Sequence, residues 1–426
     1  MMRAAMTLLD DYLSRTPRSR DLFDRATASM PGGSTRTSVF TPPYPPYIAE
    51  GRGITVRDVD GNSYRDFLGN YTALILGHAH PAVVAAVEAQ VRRGSAFAAP
   101  TESEIALAEE IRTRLPSVER LRFTNSGTEA TMFAIRAARA FTGRPLVATF
   151  ERAYHGTHDG VVSGGGVPDA IRGLRIELPW GDADGVERGL RGHERDLAAI
   201  IIEPVQGAGG VRAAEAAFLA FLRDYTSRIG ALLIFDEVIS FRVGYRGVQG
   251  RAAVRPDLTT LGKIIGGGYA LAAFGGREDV MALFDQRRRG ALSHGGTYNG
   301  NPVAAAAGLA TLRELTPASF QRLEALGERL RGAVARTIAD NDLDARLAVD
   351  ASLFQVWAGD GVSAVATGVS DAPGLFLGLL LEGFYIAPRG MGAVQLVATE
   401  TDVDELAAAI GRVLMALQPA VERAAR

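Results

Sequence analysis

The sequence contains no cysteine and a single lysine. Without cysteine, the chain cannot form a disulfide, a thiolate zinc site or a cysteine nucleophile. The 46 basic side chains are Lys263 and 45 arginines, so arginine serves wherever a surface cation suffices. A position that keeps lysine under this bias suggests a need for an amine that can lose its proton and attack a carbonyl group.

The chain also lacks a strong net charge and a long apolar run. Its 46 basic and 48 acidic residues give a formal charge of -2, which provides no field for holding a nucleic acid. No uncharged apolar stretch reaches the roughly 18 residues of a membrane span, and the amino terminus does not resemble a signal peptide. With 47% hydrophobic residues over 426 positions, we expect a folded, soluble, cytoplasmic enzyme without a nucleic-acid or membrane partner.

The order of sequence patterns predicts an α/β fold with a second, smaller lobe. Asp60-Gly61 lies in an alternating stretch, 54–68, that is typical of a β-hairpin. Helical patterns then alternate with short apolar runs, which indicates a mainly parallel sheet. We predict an amino-terminal arm and hairpin (1–70) that packs with the small domain or with a partner subunit, a large domain (71–315) and a small α+β domain (316–426). The predicted strands include 146–150, 197–202, 231–235, 353–357 and 393–398.

Two residues indicate the chemistry of the large domain. Asp236 ends an apolar strand, and a carboxylate at the carboxyl end of a parallel strand lies where such sheets bind ligands. Lys263 follows 27 residues later in a glycine-rich turn, LGKIIGGG. Pyridoxal phosphate fits this pair, because its aldehyde reacts with a lysine and its ring nitrogen needs a carboxylate to stay protonated.

A phosphate group on that cofactor would need its own binding site. Ser126-Gly127-Thr128 lies where a strand runs into an amphipathic helix, and backbone N–H groups at a helix start bind anions. An ordinary helix cap is the alternative explanation for these residues taken alone. Thr297 lies in a second glycine-rich turn, and Tyr154 offers an aromatic face to the cofactor ring.

These motifs together resemble the class III aminotransferases, which are fold-type I pyridoxal-phosphate enzymes, and in particular the glutamate-1-semialdehyde aminomutase branch. The resemblance covers nearly the whole chain. It is carried by PGG at Pro31 and by DVDGNSYRDF, GHAHP, NSGTEA, AYHG, EPVQG, FDEV, LGKIIGGG and GGTYNGNP.

The resemblance implies a role for each matching position. Lys263 would bind the cofactor covalently and carry the substrate proton, while Asp236 would keep the pyridine nitrogen protonated. Val238 and Tyr154 would cover the two ring faces, and Glu203 would lie near the cofactor hydroxyl. The phosphate would be held by Ser126, Gly127 and Thr128, together with Thr297 from the second subunit of a homodimer with shared active sites.

Two arginines suggest that the substrate carries a carboxylate group. Arg36 and Arg389 stand in segments that face the active site in relatives, and arginine binds carboxylates through two parallel hydrogen bonds. The stretch PGGSTRTSVF departs from the aminomutase pattern and is similar to that of β-phenylalanine aminotransferases. We therefore expect amino transfer from an amino acid, possibly a β-amino acid such as β-phenylalanine, to a keto acid such as 2-oxoglutarate or pyruvate. Val39, Phe40, Tyr44 and Tyr47 either line a pocket for the donor side chain or pack their own segment.

Other functions stay open at this point. An aminomutase or an amine transaminase would keep every cofactor residue, as would an epimerase or decarboxylase. A non-enzymatic regulator would be expected to have lost Lys263 or Asp236. A metal enzyme is disfavoured, because the pairs His78/His80 and His155/His158 have no evident carboxylate partner in sequence.

Overall fold

The computed structural model describes residues 2–359 and 373–424. The helices are α1 (Met2–Arg15), α2 (Pro17–Thr27), α3 (Pro81–Arg93), α4 (Glu102–Arg114), α5 (Gly127–Thr142), α6 (Asp169–Arg172), α7 (Ala183–Leu190), α8 (Ala216–Ile229), α9 (Gly247–Ala252), α10 (Glu278–Met281), α11 (Pro302–Glu314), α12 (Pro317–Asp340), α13 (Pro373–Leu381) and α14 (Glu400–Ala424). None of the helices in these two ranges combines the length and apolar content needed to cross a bilayer.

The strands are short, as expected for a sheet covered by helices. They are β1 (Ile48–Arg52), β2 (Thr55–Asp58), β3 (Ser63–Asp66), β4 (Arg120–Thr124), β5 (Leu146–Phe150), β6 (Arg175–Leu178), β7 (Leu197–Ile202), β8 (Val205–Gln206), β9 (Arg212–Ala213), β10 (Leu232–Asp236), β11 (Leu258–Leu261), β12 (Ala272–Gly276), β13 (Ala345–Asp350), β14 (Leu353–Ala358), β15 (Phe384–Tyr385) and β16 (Met391–Ala393).

The chain divides into two compact units. Unit 1 contains residues 1–80 together with 321–426, and unit 2 contains residues 81–320. The predicted domain boundaries at 70 and 315 lie ten and five residues from these divisions. The amino-terminal arm and hairpin thus belong to the same unit as the carboxyl-terminal residues.

Unit 2 is built around a seven-stranded sheet of order β4-β12-β11-β10-β7-β5-β6. Strand β12 is antiparallel to both neighbours, and the pairs among the other five strands from β11 to β6 are parallel. Every residue of β7 and β10 is buried, because helices cover both faces of such a sheet. The predicted α/β class with a mainly parallel sheet is confirmed.

Helix α5 shows how local sequence starts an element beside this sheet. The Ser126 hydroxyl accepts a hydrogen bond from the Glu129 backbone N–H, and the Glu129 carboxylate accepts one from the Ser126 N–H. This capping box satisfies two backbone donors at the helix start. Gly143 ends the helix at φ 70°, a left-handed conformation that favours glycine.

Unit 1 contains a four-stranded sheet and a three-stranded sheet. The hairpin of β2 and β3 forms as predicted, with Thr55 opposite Arg65 and Arg57 opposite Ser63. Strand β1 pairs with β2, and the short strand β15 adds to β3 in parallel. The second sheet has the order β13-β14-β16.

The predicted strand over 393–398 was wrong. Strand β16 covers Met391–Ala393, and its pairing ends where Ala393 meets Leu353, the first residue of β14. Strand β14 has no residue before Leu353 with which the run could continue to pair. The Leu396 N–H donates to the Ile75 carbonyl instead. The apolar run 393–398 is therefore buried mainly as irregular chain.

Helix α11 packs directly against the turn that carries Lys263. A Cβ atom on Gly308 would lie 1.9 Å from the Ile265 carbonyl oxygen, and one on Gly267 would lie 2.4 Å from the Ala307 carbonyl oxygen. Such contacts between backbones require glycine, and they fix the position of the 3-10 turn Lys263–Gly266.

We expect Gly308→Ala to destabilise the protein by about 1–3 kcal/mol, because the added methyl group must displace backbone atoms. Gly332→Ala is the matched control. Gly332 lies inside α12, where the nearest atom to a Cβ is Arg336 Nη1 at 3.4 Å, so this change should stabilise by about 0.5–1 kcal/mol. Thermal unfolding midpoints of both variants measure the effect. A Gly308→Ala midpoint at or above that of the wild type would contradict the packing described.

Candidate active site

A cavity of about 240 Å³ opens at one edge of the large sheet. It lies at the carboxyl ends of the strands that run in one direction: Ser126 follows β4, Tyr154 follows β5, Glu203 follows β7, Asp236 ends β10 and Lys263 follows β11. This edge is where open α/β sheets bind their ligands. The lining residues are Asn125, Ser126, Gly127, Thr128, Thr131, Tyr154, His155, Gly156, Glu203, Asp236, Val238, Ile239, Lys263, Tyr269, Ala270 and Leu271.

Eight of the nine residues predicted to bind the cofactor line this one cavity. The ninth, Thr297, lies outside it in an exposed loop, so its role toward a partner subunit stays a prediction.

Asp236 is the most strongly held group in the cavity. It is 4% exposed, and its Oδ1 accepts hydrogen bonds from Thr260 Oγ1 at 2.9 Å and from the Val238 N–H at 3.2 Å. Its Oδ2 lies 2.8 Å from His155 Nδ1. Three hydrogen-bond partners hold the two oxygens of this carboxyl group in one orientation.

His155 was missed as a partner of Asp236 by sequence reasoning. It is 4% exposed, and its Nε2 is a buried atom without a hydrogen-bond partner among the described residues. The available signal was its place beside Tyr154, directly after a strand that ends at the same edge as β10. Within residues 2–359 and 373–424, no group of three or more metal-binding side chains is present.

Glu203 is a second buried carboxyl group, 3% exposed. Its oxygens accept hydrogen bonds from the Tyr154 N–H at 2.8 Å and the Gly207 N–H at 3.2 Å. Burial raises the pKa of Glu203 to about 7, and the nearby Asp236 charge raises it further, whereas His155 and the two N–H donors oppose the shift. The group therefore titrates close to neutral pH.

The segment Ser126–Thr128 forms a cup at the start of the 16-residue helix α5. The Thr128 hydroxyl faces Gly156, where a Cβ would lie 2.4 Å from Thr128 Oγ1, and Gly156 has a φ of 92°. Only glycine satisfies both conditions. Val238 fills the space between this cup and the lysine turn, with methyl groups 3.1 Å from the Cβ position of Gly127 and 3.2 Å from that of Gly262.

Lys263 has an uncommon backbone conformation, with φ 51°. A left-handed conformation costs a non-glycine residue about 1–3 kcal/mol and persists where the surrounding structure enforces it. The contacts of α11 with Ile265 and Gly267 hold the turn that contains Lys263 in place. An amine, a buried carboxyl group and the cup Ser126–Thr128 thus line one cavity, and this set of groups fits pyridoxal phosphate.

Arg36 and Arg389 both belong to unit 1, and both are close enough to Tyr71 to act on it electrostatically. Arg36 Nη1 donates to Asn70 Oδ1 at 2.9 Å, and the Arg389 guanidinium lies 5.8 Å from the Tyr71 ring centroid. Burial raises the pKa of Tyr71, and the two guanidinium groups oppose that shift. The two arginines, 353 residues apart in sequence, thus contact the neighbouring residues Asn70 and Tyr71.

The backbone at Tyr71 is as unusual as that at Lys263. Gly69, Asn70, Tyr71 and Thr72 all have left-handed φ angles, between 50° and 76°. Asp66 anchors the start of this turn by accepting hydrogen bonds from the Leu68 and Gly69 N–H groups, at 2.8 and 2.9 Å.

The aromatic residues near Arg36 mainly pack their own segment. Tyr44 is 3% exposed, its ring centroid lies 5.4 Å from that of Tyr12, and its hydroxyl bonds Thr16. The Tyr47 hydroxyl donates to the Gly33 carbonyl at 3.2 Å. Of the two roles considered for these tyrosines, packing is the one that these contacts support.

The chain is similar to known proteins in both sequence and structure. Residues 39–174 and 184–343 match the model of the family described as aminotransferase class-III. The chain is 41% identical to a glutamate-1-semialdehyde 2,1-aminomutase of Methanothermobacter thermautotrophicus, over 87% of this chain and 92% of the relative. It is 38% identical to a β-phenylalanine transaminase of Variovorax paradoxus, over 94% of this chain and 93% of the relative. The crystal structure of an omega-transaminase from Sphaerobacter thermophilus superposes with a TM-score of 0.89 at 42% identity, covering 93% of this chain and 97% of that one.

The pKa of Glu203 makes a prediction for the cofactor-free protein. A carboxyl group whose pKa rises on folding, here from 4.5 to about 7, stabilises the fold below pH 4.5, and this contribution is lost as the pH rises through 7. The loss amounts to about 3 kcal/mol. We expect Glu203→Gln to remove it, so that the variant gains stability relative to the wild type between pH 5 and pH 8.

Urea unfolding of the cofactor-free chain at the two pH values measures this difference. Glu151→Gln is the matched control, because Glu151 is exposed and should leave the pH dependence unchanged. Parallel curves for the wild type and Glu203→Gln would show that the group has no raised pKa.

Proposed function

Because the chain belongs to the class III aminotransferases, which use pyridoxal 5'-phosphate, we propose that it transfers the amino group of a β-amino acid to a keto acid. The donor would be of the β-phenylalanine kind, and the acceptor would be 2-oxoglutarate or pyruvate. The observation that carries this assignment is that Arg36 bonds Asn70 while Arg389 lies beside the ring of the next residue, Tyr71, so that two cationic groups that could bind a carboxylate are brought to neighbouring residues.

Lys263 is the proposed base. When bound, the cofactor supplies an aldehyde that takes up the amino group and a ring that withdraws electrons from the adjacent carbon. The Lys263 amine would remove the proton from the substrate carbon that carries the amino group, and it would hold that proton until it is returned.

Asp236 is proposed to hold the proton of the ring nitrogen. Hydrogen bonds from Thr260 and the Val238 N–H orient one of its oxygens, and His155 lies within hydrogen-bond distance of the other. Ser126, Gly127 and Thr128 would bind the phosphate, with Val238 and Tyr154 on the two ring faces. Glu203, which titrates near neutral pH, would lie on the side of the cofactor hydroxyl.

The proposal includes a homodimer in which Thr297 completes the partner's phosphate site. Its support is an exposed apolar set in unit 2. Phe97, Ile105 and Tyr298 are 51%, 55% and 60% exposed, and Tyr298 is the neighbour of Thr297 in sequence. Large exposed apolar side chains of this kind mark surfaces that become covered.

An aminomutase is the second candidate, because a relative with that activity is 41% identical. It would use the same cofactor residues and differ in returning the amine to the same molecule. A transaminase releases a free keto product after the first half of the reaction, so the two activities separate by product analysis.

The first test is the visible absorption of the cofactor-loaded protein before and after adding β-phenylalanine without a keto acid. We expect the band of the lysine-bound aldehyde to bleach as the amino group moves to the cofactor. A persistent band would exclude this donor and favour an aminomutase or another donor. Borohydride reduction followed by mass spectrometry should label Lys263, and Lys263→Ala should lose both the label and turnover.

The second test concerns the carboxylate. We expect Arg36→Leu to raise KM for β-phenylalanine by about 10- to 100-fold, the value of a hydrogen bond to a charged group. KM for 1-phenylethylamine, which has the same ring but no carboxylate, should change little. Arg331→Lys is the control, because Arg331 is a surface residue paired with Glu328. Equal losses for the two donors would show that Arg36 does not bind the carboxylate.

A further inference from the structure

We propose that Asn299 is a positioning residue for phosphate binding, and that Asn125, Asn299 and His294 form a hydrogen-bonded relay. The relay joins the cup Ser126–Thr128 to the loop 294–300, which carries Thr297. The inference rests on the proposed function in one respect, since it takes the cup to be the cofactor phosphate site.

The first link of the relay is between two amide side chains. Asn125 Nδ2 donates to Asn299 Oδ1 at 2.8 Å, across 174 positions of sequence. Asn125 directly precedes the cup and lines the cavity, and its backbone N–H donates to Glu129 Oε2 at 2.6 Å. The Asn125 backbone is thus tied to the capping box of α5, while its side chain is tied to Asn299.

The second link joins Asn299 to a histidine held in an aromatic cluster. Asn299 Nδ2 lies 3.3 Å from His294 Nε2. The His294 ring meets Phe133 edge-on, with centroids 4.5 Å apart, and Phe274 at 5.4 Å. These rings are part of the core that packs α5 on the sheet, so the far end of the relay is fixed to rigid structure.

The state of His294 suits it to accept a hydrogen bond. Burial lowers its pKa to about 4, with Arg122 acting in the same direction, so the ring is neutral at physiological pH. A neutral imidazole has one nitrogen that accepts. The Asn299 amide then accepts from Asn125 through its oxygen and donates to His294 through its nitrogen. If both amides were flipped and the imidazole tautomer exchanged, donors and acceptors would swap roles and the same three residues would stay connected.

The loop itself is folded over the Asn299 side chain. A Cβ on Gly296 would lie 2.5 Å from Asn299 Oδ1, and the Asn299 N–H donates to the Gly296 carbonyl at 3.0 Å. Asn301 then caps α11 through the Val303 and Ala304 N–H groups. The segment between these anchors carries Thr297, so the relay holds the cup and the proposed partner-directed hydroxyl in one hydrogen-bonded unit.

A double-mutant cycle tests the link. The full chain, stripped of cofactor, is titrated with pyridoxal phosphate and followed by absorbance, for the wild type, Asn125→Ala, Asn299→Ala and the double variant. We expect each single change to weaken binding by about three- to tenfold, as for one neutral hydrogen bond, and the double change to weaken it no further. Asn341→Ala removes an exposed amide that bonds only its own helix, and it should bind as the wild type does.

An NMR measurement distinguishes a positioning role of Asn299 from a general disruption of the fold. The chain has six histidines, so the ring signal of His294 can be assigned by NMR from its loss in His294→Gln. Adding inorganic phosphate to the cofactor-free chain should shift that signal in the wild type and leave it unmoved in Asn299→Ala. If Asn299→Ala fails to fold, Asn125→Ala tests the same link from the other end.

Three results would overturn the relay: unchanged affinity in Asn299→Ala, additive losses in the double variant, or a His294 signal that ignores phosphate in the wild type. In each case the wild type still binds pyridoxal phosphate, and the proposed function stands. A wild type that binds neither pyridoxal phosphate nor inorganic phosphate would instead overturn the proposed function, and the relay with it.

Discussion

The parallel pairing of β10 between β7 and β11 is the constraint on which the rest of the site depends. Parallel strands end at the same edge of a sheet, so this pairing brings the residues after β7 and β11 to the end of β10. Glu203, Asp236 and Lys263 are separated by tens of residues in sequence, yet they line one cavity because of this alignment. The antiparallel strand β12 returns the chain from the same edge, and it adds the segment 269–271 to the cavity wall.

Burying carboxyl groups at that edge has an energetic cost, which the structure offsets in different ways. Asp236 has three hydrogen-bond partners at its two oxygens. Glu237, the next residue, is fully buried and accepts hydrogen bonds from Ser240, Val248 and Gln249. Burial raises the pKa of Glu203 to about 7, against the opposing effect of its two backbone donors. Hydrogen-bond donors thus offset part of the cost of burial at each of these carboxyl groups.

Strained backbone marks both candidate regions. Lys263 is left-handed under the packing of α11, and Asn70, Tyr71 and Thr72 form a left-handed run after Asp66. Non-glycine residues in this conformation are uncommon and persist where contacts enforce them. In unit 2 the left-handed residue is Lys263, the proposed base. In unit 1 the left-handed run includes Tyr71, which lies near Arg36 and Arg389.

The sequence alone was sufficient for the local features. The hairpin at Asp60-Gly61 and the helix that follows Ser126 both depend on residues close together in the chain. What only the tertiary structure decided are contacts across long separations: His155 with Asp236, 81 residues apart, Asn125 with Asn299, and Arg36 with Arg389 around Tyr71. The predicted strand at 393–398 failed for the same reason, since a strand needs a partner and β14 begins at Leu353. Propensity and spacing act within a few residues, whereas hydrogen-bond partners at a sheet edge are chosen by strand order, which no local pattern encodes.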